Sequence, residues 1–254
     1  SSLNSSLGII RTPSIQMNEE GTVSFLYTSN DPLVHGRFSL SPYEWFEGSF
    51  FYYDMNTLRY NGKIENQSNK DKGFSAKIRI LKENNLWPAI VVGFEDLAGT
   101  GYFSSEYIVA GWSKERFNFN FGLGWGRLGS TNDLRNPFSY ISDSFNNREN
   151  FTNKKGGNFE LDSYFSGPTG IFSSMAVKLM DQNDLLFKIE YDSNDFTSQR
   201  GYNALESSRI NFGLSFKPFE GAEFGVYQTE GNDTALNFSY KKNFSSNKPP
   251  VINQ

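Results

Sequence analysis

A strict two-residue alternation in the stretch RFNFNFGLGWGRLG, Arg116–Gly129, constrains the fold more than any other feature of the sequence. Phe117, Phe119 and Phe121 begin a series of large apolar residues at odd positions, and asparagine or glycine occupies the even positions. Successive side chains of an extended strand point to opposite faces, so one face carries rings and the other carries almost nothing bulky. That combination is typical of a barrel wall with lipid outside and a wet lumen inside.

The same alternation recurs along the chain and predicts about twelve strands. The longest apolar run, around Trp87 to Phe94, contains a proline and is far shorter than the roughly 20 residues that a membrane-spanning helix needs. A membrane could therefore be crossed only by a closed sheet. Besides the stretch above, the predicted strands are Gly21–Ser29, Val34–Ser41, Phe46–Asp54, Gly73–Lys82, Ala89–Glu95, Glu106–Lys114, Ile171–Met180, Leu185–Asp192, Ile210–Lys217, Ala222–Thr229 and Thr234–Phe244.

Short and long connections alternate between the predicted strands. In an up-and-down barrel every second connection lies on the same rim. The alternation therefore predicts short periplasmic turns on one rim, long external loops on the other, and both termini on the short-turn side. The short turns are Pro42–Trp45, Glu83–Leu86, Glu115, Asp181–Asp184 and Phe219–Gly221. The long polar connections are Met55–Lys72, Leu97–Ser105, Arg127–Thr169 and Ser193–Arg209.

These patterns predict one domain, a single all-β, up-and-down, antiparallel transmembrane β-barrel of about 12 strands over residues 1–244. Residues 1–20 form an N-terminal lead, residues 127–169 a long external or plug loop, and residues 245–254 a C-terminal tail with paired prolines. We expect a polar, charged lumen that is partly occupied by the 127–169 loop or by the termini.

Charge and cysteine content exclude several classes of function. The chain has 24 lysines and arginines against 28 aspartates and glutamates, a net charge of -4, whereas nucleic-acid binding depends on a surplus of basic residues. The absence of cysteine removes disulfides, thiolate catalysis and cysteine-based zinc sites. We therefore expect no nucleic-acid partner, no cofactor and no metal.

Charged and polar side chains on the inward faces are the candidate lumen residues. Glu190 and Asp192 lie two residues apart on one strand, about 7 Å by strand rise, which is within the range of glycosidase carboxylate pairs. Lys188 shares their face, and other charges lie on neighbouring strands, so an ion-pair network in the lumen is the favoured interpretation. The predicted lumen residues are His35, Arg37, Lys77, Arg79, Glu95, Lys188, Glu190, Asp192 and Lys217.

Other motifs give weaker signals. Gly124, Gly126 and Gly129 match a G-x-G-x-x-G pattern, but no helical period follows that could hold a pyrophosphate. His35 is the only histidine, and the chain lacks a nucleophile elbow. The cluster DSND, Asp192–Asp195, could contribute to a Ca²⁺ site but lacks the spacing of a dedicated loop. We therefore predict no catalytic residue.

Rings on the outward faces are the candidate membrane contacts. The predicted lipid-facing residues are Phe38, Phe117, Phe119, Phe121, Phe212, Phe216 and Phe238. Aromatic side chains that could form girdles at the two membrane interfaces are Tyr27, Phe38, Phe50, Tyr52, Trp112 and Tyr240. The alternative is that these rings form the dry core of a soluble sandwich.

Four segments resemble one known family. They are GFEDLAGTGYFSSEYIVA at Gly93–Ala110, FGLGWGRLG at Phe121–Gly129, KIEYDSNDF at Lys188–Phe196 and INFGLSFKPFEG at Ile210–Gly221. Together with the opening at Gly8–Tyr27, they are similar to the YjbH/GfcD family of outer-membrane proteins, in the same order over nearly the whole chain. Members of that family are longer, and this sequence has no N-terminal cysteine to acylate, so no lipid anchor is expected from the residues present.

The resemblance implies a β-barrel of the Gram-negative cell outer membrane, with outer-membrane lipid, exopolysaccharide and other export or surface-assembly proteins as partners. It implies a non-enzymatic role in exopolysaccharide or capsule export or surface anchoring, and no catalytic residues. The alternatives are a general diffusion porin, a structural barrel subunit of a larger cell-surface assembly, and a soluble carbohydrate-binding or lyase β-protein. The predicted external-loop residues for glycan or partner contact are Phe138, Tyr140, Phe145, Phe151, Tyr164 and Phe165.

Overall fold

In a computed structural model that describes residues 8–31, 33–59, 68–97, 103–148, 163–195 and 208–245, twelve antiparallel strands form a closed barrel. Each strand pairs with its sequence neighbours, and the first strand pairs with the last. The strands are β1 (Thr22–Asn30), β2 (Leu33–Tyr43), β3 (Phe46–Arg59), β4 (Ser68–Leu81), β5 (Ala89–Glu95), β6 (Ser105–Ser113), β7 (Phe117–Gly126), β8 (Gly170–Met180), β9 (Leu185–Tyr191), β10 (Ile210–Phe216), β11 (Ala222–Thr229) and β12 (Asp233–Asn243).

Closure of the barrel depends on the pairing of β1 with β12, which runs from Thr22 opposite Asn243 to Ser29 opposite Leu236. Because every strand then has two hydrogen-bonded neighbours, the sheet has no open edge. This confirms the prediction of an all-β, up-and-down, antiparallel barrel. It also excludes the two-sheet sandwich that was the alternative for the aromatic residues.

One hairpin is longer than the alternation predicts. β3 continues to Arg59 and β4 begins at Ser68, inside the connection that was assigned to residues 55–72. Met55 pairs with Asn69, and the register shifts before Arg59 pairs with Ser68. The backbone ladder needs no apolar side chains, so a polar extension of a hairpin leaves no alternation to detect in the sequence.

The remaining regular structure consists of short 3-10 turns. The described ones are Arg127–Gly129, Pro137–Tyr140, Asp143–Asn146 and Gln182–Asp184. Within the described ranges, no helix is long and apolar enough to cross a bilayer.

The outer wall of the barrel is rich in exposed rings. Phe38, Phe119 and Phe121 are 51%, 45% and 48% exposed, and Phe238 is half-buried. The other predicted lipid-facing rings and girdle residues are also exposed, namely Phe117, Phe212, Phe216, Tyr27, Phe50, Tyr52, Trp112 and Tyr240.

The inner wall is less polar than the sequence analysis predicts. Phe172 lies over Gly122, where an added Cβ would come within 2.2 Å of the ring, and Tyr107 lies over Gly93, where the distance would be 2.1 Å. Both rings are almost fully buried. These glycines do not line a smooth wet wall; they make room for a ring from the adjacent strand, a packing that shields glycine backbone in sheets.

Candidate functional site

The chain that precedes β1 lies inside the barrel. We call residues 8–20 the lead segment. It leaves the short-turn rim beside Gly21, whose N–H donates to the Ser41 carbonyl at 2.8 Å, and enters the lumen. Ile9, Ile10 and Ile15 are 1%, 0% and 5% exposed. The lumen is therefore occupied by the N-terminal side of the chain.

Glu190 on β9 holds the deepest part of the lead segment. Its carboxylate accepts the backbone N–H groups of Ile10, Arg11 and Thr12 at 2.8–3.0 Å and the Thr12 hydroxyl at 2.8 Å. Asn211 on β10 donates a further hydrogen bond to the same carboxylate at 2.9 Å. Consecutive backbone N–H groups that converge on one anion form a strong, charge-assisted contact, so Glu190 fixes the turn at Ile10–Thr12.

Arg11 extends this contact toward the long-loop rim. Its guanidinium forms an ion pair with Glu230, in the turn between β11 and β12, and both side chains are buried at 1% and 4% exposure. It also donates to the Thr229 hydroxyl at 3.4 Å. Because Glu230 is a buried acid, its ion pair with Arg11 neutralises charge that would otherwise be costly inside the barrel.

Three further wall side chains hold the part of the lead segment nearer the short-turn rim. Asn120 on β7 accepts the Ile15 N–H at 2.9 Å, and Lys77 on β4 donates to the Gln16 carbonyl at 2.7 Å. Glu47 on β3 accepts from the Asn18 side-chain amide at 3.1 Å. The segment is thus anchored to several strands along the length of the lumen.

Apolar packing adds to these polar anchors. Ile15 belongs to a buried cluster with Tyr107, Phe172 and neighbouring wall residues, and Met17 packs against it. Ile9 and Ile10 belong to a second cluster with Ala176, Tyr227 and Ala235. The interior at these levels is a small hydrophobic core rather than a water-filled channel.

Another group of predicted lumen residues forms its own network at β2, β3 and β5. Arg37 is ion-paired with Glu95 at 2.8 Å, and Ser75 donates to Glu95 at 2.7 Å. His35 lies 3.0 Å from the Thr28 hydroxyl, and its ring stacks on Tyr53 at 4.4 Å. Tyr53, which sequence reasoning missed, lies on the inward face among these polar residues and is 4% exposed.

The predicted network around Glu190 has different partners from those expected. Lys188 does not pair with Glu190 but with Glu223 at 2.8 Å. Asp192 is buried just beyond β9, where its carboxylate accepts the Asn194 N–H at 3.0 Å. Side chains two residues apart on a strand are about 7 Å apart, so their partners come from adjacent strands or from the lead segment.

Arg79 and Lys217 lie at the short-turn rim and not in the middle of the lumen. Arg79 donates to the Glu44 carbonyl at 2.7 Å, and Lys217 is paired with Asp184. The lumen opens on this side into a cavity of about 880 Å³. Lead-segment residues Ile9, Ile15, Gln16 and Met17 form part of its lining.

The connection between β7 and β8 begins inside the barrel, where Leu128 belongs to the same buried cluster as Ile15. Farther along, it folds against the outer wall and partly buries its rings. Phe138 and Phe165 pack on Trp125, at centroid distances of 5.4 and 5.1 Å, and Phe145 packs on Phe138 at 5.5 Å. Tyr164 packs on Phe94 of β5 at 5.6 Å. We call the described part of this connection, residues 127–148 and 163–169, the cap.

The cap also contains a buried ion pair. Arg148 donates to both oxygens of Glu106 on β6, at 2.6 and 2.9 Å, and Glu106 accepts the Phe165 N–H at 2.9 Å. Glu106 is 1% exposed, and the Arg148 side chain 12%. Of the rings predicted to contact glycan or a partner, Tyr140 is the freely accessible one, at 77% exposure. Phe151 lies outside the described residues.

A second ion pair attaches the cap to the long-loop rim, next to the start of β10. Arg209 donates to both oxygens of Asp133 at 2.8 Å, and Asp133 also accepts the Ile171 N–H at 2.8 Å. The hydrogen bond from Arg209 is the main reason that the pKa of Asp133 is lowered to about 2. The cap is therefore attached to the barrel at both of its sides.

The geometry bears on the catalytic and metal alternatives. With the lead segment in place, the Glu190 carboxylate accepts hydrogen bonds from that segment and does not face an open site. In the DSND cluster, the Asp195 N–H donates to Ser130 at 2.7 Å. Within the ranges that the structure covers, no group of three or more histidine, aspartate or glutamate residues could hold a metal ion.

The three glycines of the G-x-G-x-x-G pattern serve the junction between β7 and the cap. Gly126 has a φ of 64°, in the left-handed region that favours glycine, and an added Cβ would come within 2.4 Å of the Ser104 carbonyl. Cβ atoms at Gly124 and Gly129 would meet Leu128 and Pro168 at 2.4 and 2.2 Å. The pattern thus reflects close packing and not a phosphate site.

Comparison with known proteins adds a family match. The YjbH family model, described as exopolysaccharide biosynthesis protein YbjH, matches residues 3–254. The protein named "Uncharacterized lipoprotein YjbH" of Escherichia coli (strain K12) is 30% identical over 247 residues, which cover 96% of this chain and 35% of that protein. The chain therefore spans about a third of the length of this relative.

Comparison with solved structures finds porins at low similarity. A KdgM porin in complex with disordered oligogalacturonate has a TM-score of 0.44 and 10% identity, covering 88% of this chain and 99% of that one. A NanC porin structure has a TM-score of 0.37 and 9% identity, covering 86% of this chain and 97% of that one.

Proposed function

The chain belongs to the YjbH exopolysaccharide biosynthesis family, and from that premise we propose that it is a non-enzymatic barrel of the Gram-negative outer membrane that assists exopolysaccharide or capsule export or surface anchoring. In this proposal the short-turn rim and both termini face the periplasm, and the long loops face the outside. Outer-membrane lipid surrounds the wall, and exopolysaccharide and other export proteins are its partners.

The outer wall supports the membrane location. A closed sheet satisfies all of its backbone groups internally, which is what hydrocarbon demands of a spanning structure. Exposed rings such as Phe38, Phe119 and Phe121 would be an aggregation hazard in water, whereas a lipid-facing band requires them.

The single observation that favours an assisting role over free diffusion is the occupied lumen. Glu190 binds the lead segment deep in the barrel, and Ile9, Ile10 and Ile15 are packed into buried clusters. A general porin needs a continuous water-filled passage. We therefore expect little steady current from the purified protein in a planar bilayer, and large, stable conductance steps would favour the porin alternative.

A genetic experiment tests the role itself. The gene for the full-length protein is deleted in its host, and polysaccharide is quantified separately on cells and in the medium. We expect less polysaccharide in one of these fractions and recovery with the full-length protein in trans. A deletion strain with unchanged amounts in both fractions would refute the proposed role.

The cap is the part of the barrel that we propose for glycan or partner contact. Tyr140 of the cap is exposed, and the Arg135 guanidinium lies over its ring at 5.2 Å. Replacing residues 130–165 with a short linker should impair export or partner capture while the barrel still folds. Unchanged export and partner binding would show that this connection has no such role.

A further inference from the structure

We propose that the lead segment is a displaceable plug, and that the lumen positions it occupies form a path for an extended glycan polymer. The plug part is independent of the proposed function, and only the choice of glycan as the passing ligand rests on it. The contacts inside the barrel support both the displaceable plug and the glycan path.

The wall of the barrel does not require the lead segment. The strands close on themselves through β1 and β12, and the pairing of Gly8 with Pro13 is an isolated bridge outside the strands. The segment is attached through wall side chains, among them Glu190, Asn120 and Lys77, that bind its backbone. It can therefore leave without breaking a ladder hydrogen bond.

The strongest polar contacts of the plug are at its apex. Glu190 accepts hydrogen bonds from the backbone N–H groups of Ile10, Arg11 and Thr12 together, and the Arg11 side chain is ion-paired with Glu230. A hydrogen bond to a charged group contributes more than a neutral one. Any event that weakens the Glu190 contact should therefore release the apex of the plug first.

The plug closes a lumen that is already open on one side. The cavity of about 880 Å³ opens at the short-turn rim, and Ile9, Ile15, Gln16 and Met17 form part of its lining. In the proposed orientation this cavity faces the periplasm, from which an exported polymer would enter. Withdrawal of the segment toward the short-turn rim would extend the cavity to the level of Glu190.

The groups that bind the plug are also suited to a glycan. Glu190 and Asn120 accept hydrogen bonds from backbone N–H groups, and Lys77 donates to a backbone carbonyl. Sugar hydroxyls and N-acetyl amides offer the same donors and acceptors at intervals along an extended chain. The peptide groups of the plug thus occupy the positions that a glycan polymer would use.

Single-channel recording in planar bilayers tests the plug with three forms of the protein. In Glu190→Gln, one acceptor oxygen becomes an N–H₂ donor that faces the N–H groups of the lead segment. We expect an open-state population about tenfold or more above wild type, because a charged hydrogen-bond acceptor is lost. Deletion of residues 8–17 should conduct continuously. Glu95→Gln is the matched control, since Glu95 is a lumen carboxylate bound to Arg37 and Ser75, and it should resemble wild type.

Thiol labelling gives a readout that does not depend on current. The chain has no cysteine, and Ile10 is 0% exposed, so Ile10→Cys reports on the plug alone. A maleimide that cannot enter bilayers should label this thiol slowly in the wild-type background and at least about tenfold faster with Glu190→Gln. Equal slow labelling in both, with heat-modifiable gel mobility showing folded barrels, would overturn the plug.

Maltohexaose, added to both sides of the bilayer, tests the glycan path in the 8–17 deletion. We expect a concentration-dependent block of the current. A folded deletion variant that does not conduct would overturn the plug, and a conducting variant that maltohexaose never blocks would overturn the glycan path. Neither outcome depends on polysaccharide secretion by cells. The polysaccharide measurement on the deletion strain tests the proposed function separately.

Discussion

The ion pair between Arg148 and Glu106 gives the sharpest prediction about stability. Replacing Arg148 with methionine keeps most of the side-chain volume and removes both hydrogen bonds to Glu106. Glu106 is 1% exposed, so its carboxylate would remain buried with the Phe165 N–H as its main remaining donor. The loss of one partner from a buried pair costs about 3–5 kcal/mol, and the 12% exposure of Arg148 places the expected value near the lower end.

Reversible denaturant unfolding in detergent micelles, followed by tryptophan fluorescence, measures this cost. Trp125 is buried against Phe165 in the same cap and reports on its detachment. Arg135→Met in the same connection is the control, and because Arg135 lies at the exposed surface we expect a change of about 0.5 kcal/mol or less.

A double-mutant cycle separates the pair from other effects. Glu106→Gln removes the other charge, and the double variant should be less destabilised than the sum of the two single changes, because neither charge is left unpaired. A cost below about 1 kcal/mol for Arg148→Met, with additive single changes, would refute the assignment of a buried, coupled pair.

Three further predictions concern other parts of the barrel. Phe119→Arg places a charge on the outward face of β7 and should destabilise the barrel in lipid vesicles by about 2–4 kcal/mol, as measured by refolding titrations. Gly122→Val should displace the Phe172 ring and cost about 1–3 kcal/mol in the same assay, whereas a glycine facing open lumen would tolerate valine. Because the pKa of Asp133 is lowered to about 2 from an ordinary 3.8, its ion pair with Arg209 stabilises the cap above about pH 4, and this stabilisation is lost as the pH falls toward 2. Limited proteolysis with pepsin should therefore cleave the cap more slowly in the wild type than in Arg209→Met at pH 4, and at nearly equal rates in the two proteins at pH 2.

The strands were predictable because their signal is local. A two-residue period is set by the geometry of one strand, so Phe117–Gly126 and most other strands lie close to the expected ranges. The extension of β3 to Arg59 was not predictable, because the residues there show no alternation of apolar and polar side chains. Strand order followed from the alternation of short and long connections, which is also visible in the sequence.

The occupied lumen was not predictable in its details, because its contacts join residues that are distant in the sequence. Glu190 lies 178–180 residues from its partners at Ile10–Thr12. The lead segment nevertheless carries a signal, since Ile9, Ile10 and Ile15 are apolar residues that precede the first predicted strand. Apolar residues before the first strand of a barrel are a reason to look for a plug.

The inward rings were missed for a related reason. The sequence places glycine opposite the outward rings of β7, which indicates an empty inner face when that strand is considered alone. Phe172 of β8 fills the space above Gly122, and Tyr107 of β6 fills the space above Gly93. Which ring covers which glycine depends on the register between neighbouring strands, and one strand's pattern does not contain that register.

A nitroxide scan of β7 in lipid vesicles tests the central claim most directly, namely that one face of the sheet contacts hydrocarbon and the other encloses a packed lumen. The chain has no cysteine, so single cysteines at positions 117 to 123 can each carry a spin label. We expect high accessibility to dissolved oxygen at 117, 119 and 121 and low accessibility to both oxygen and a water-soluble nickel reagent at 118, 120 and 122. Uniform accessibility along the strand, or oxygen access at the even positions, would contradict the account.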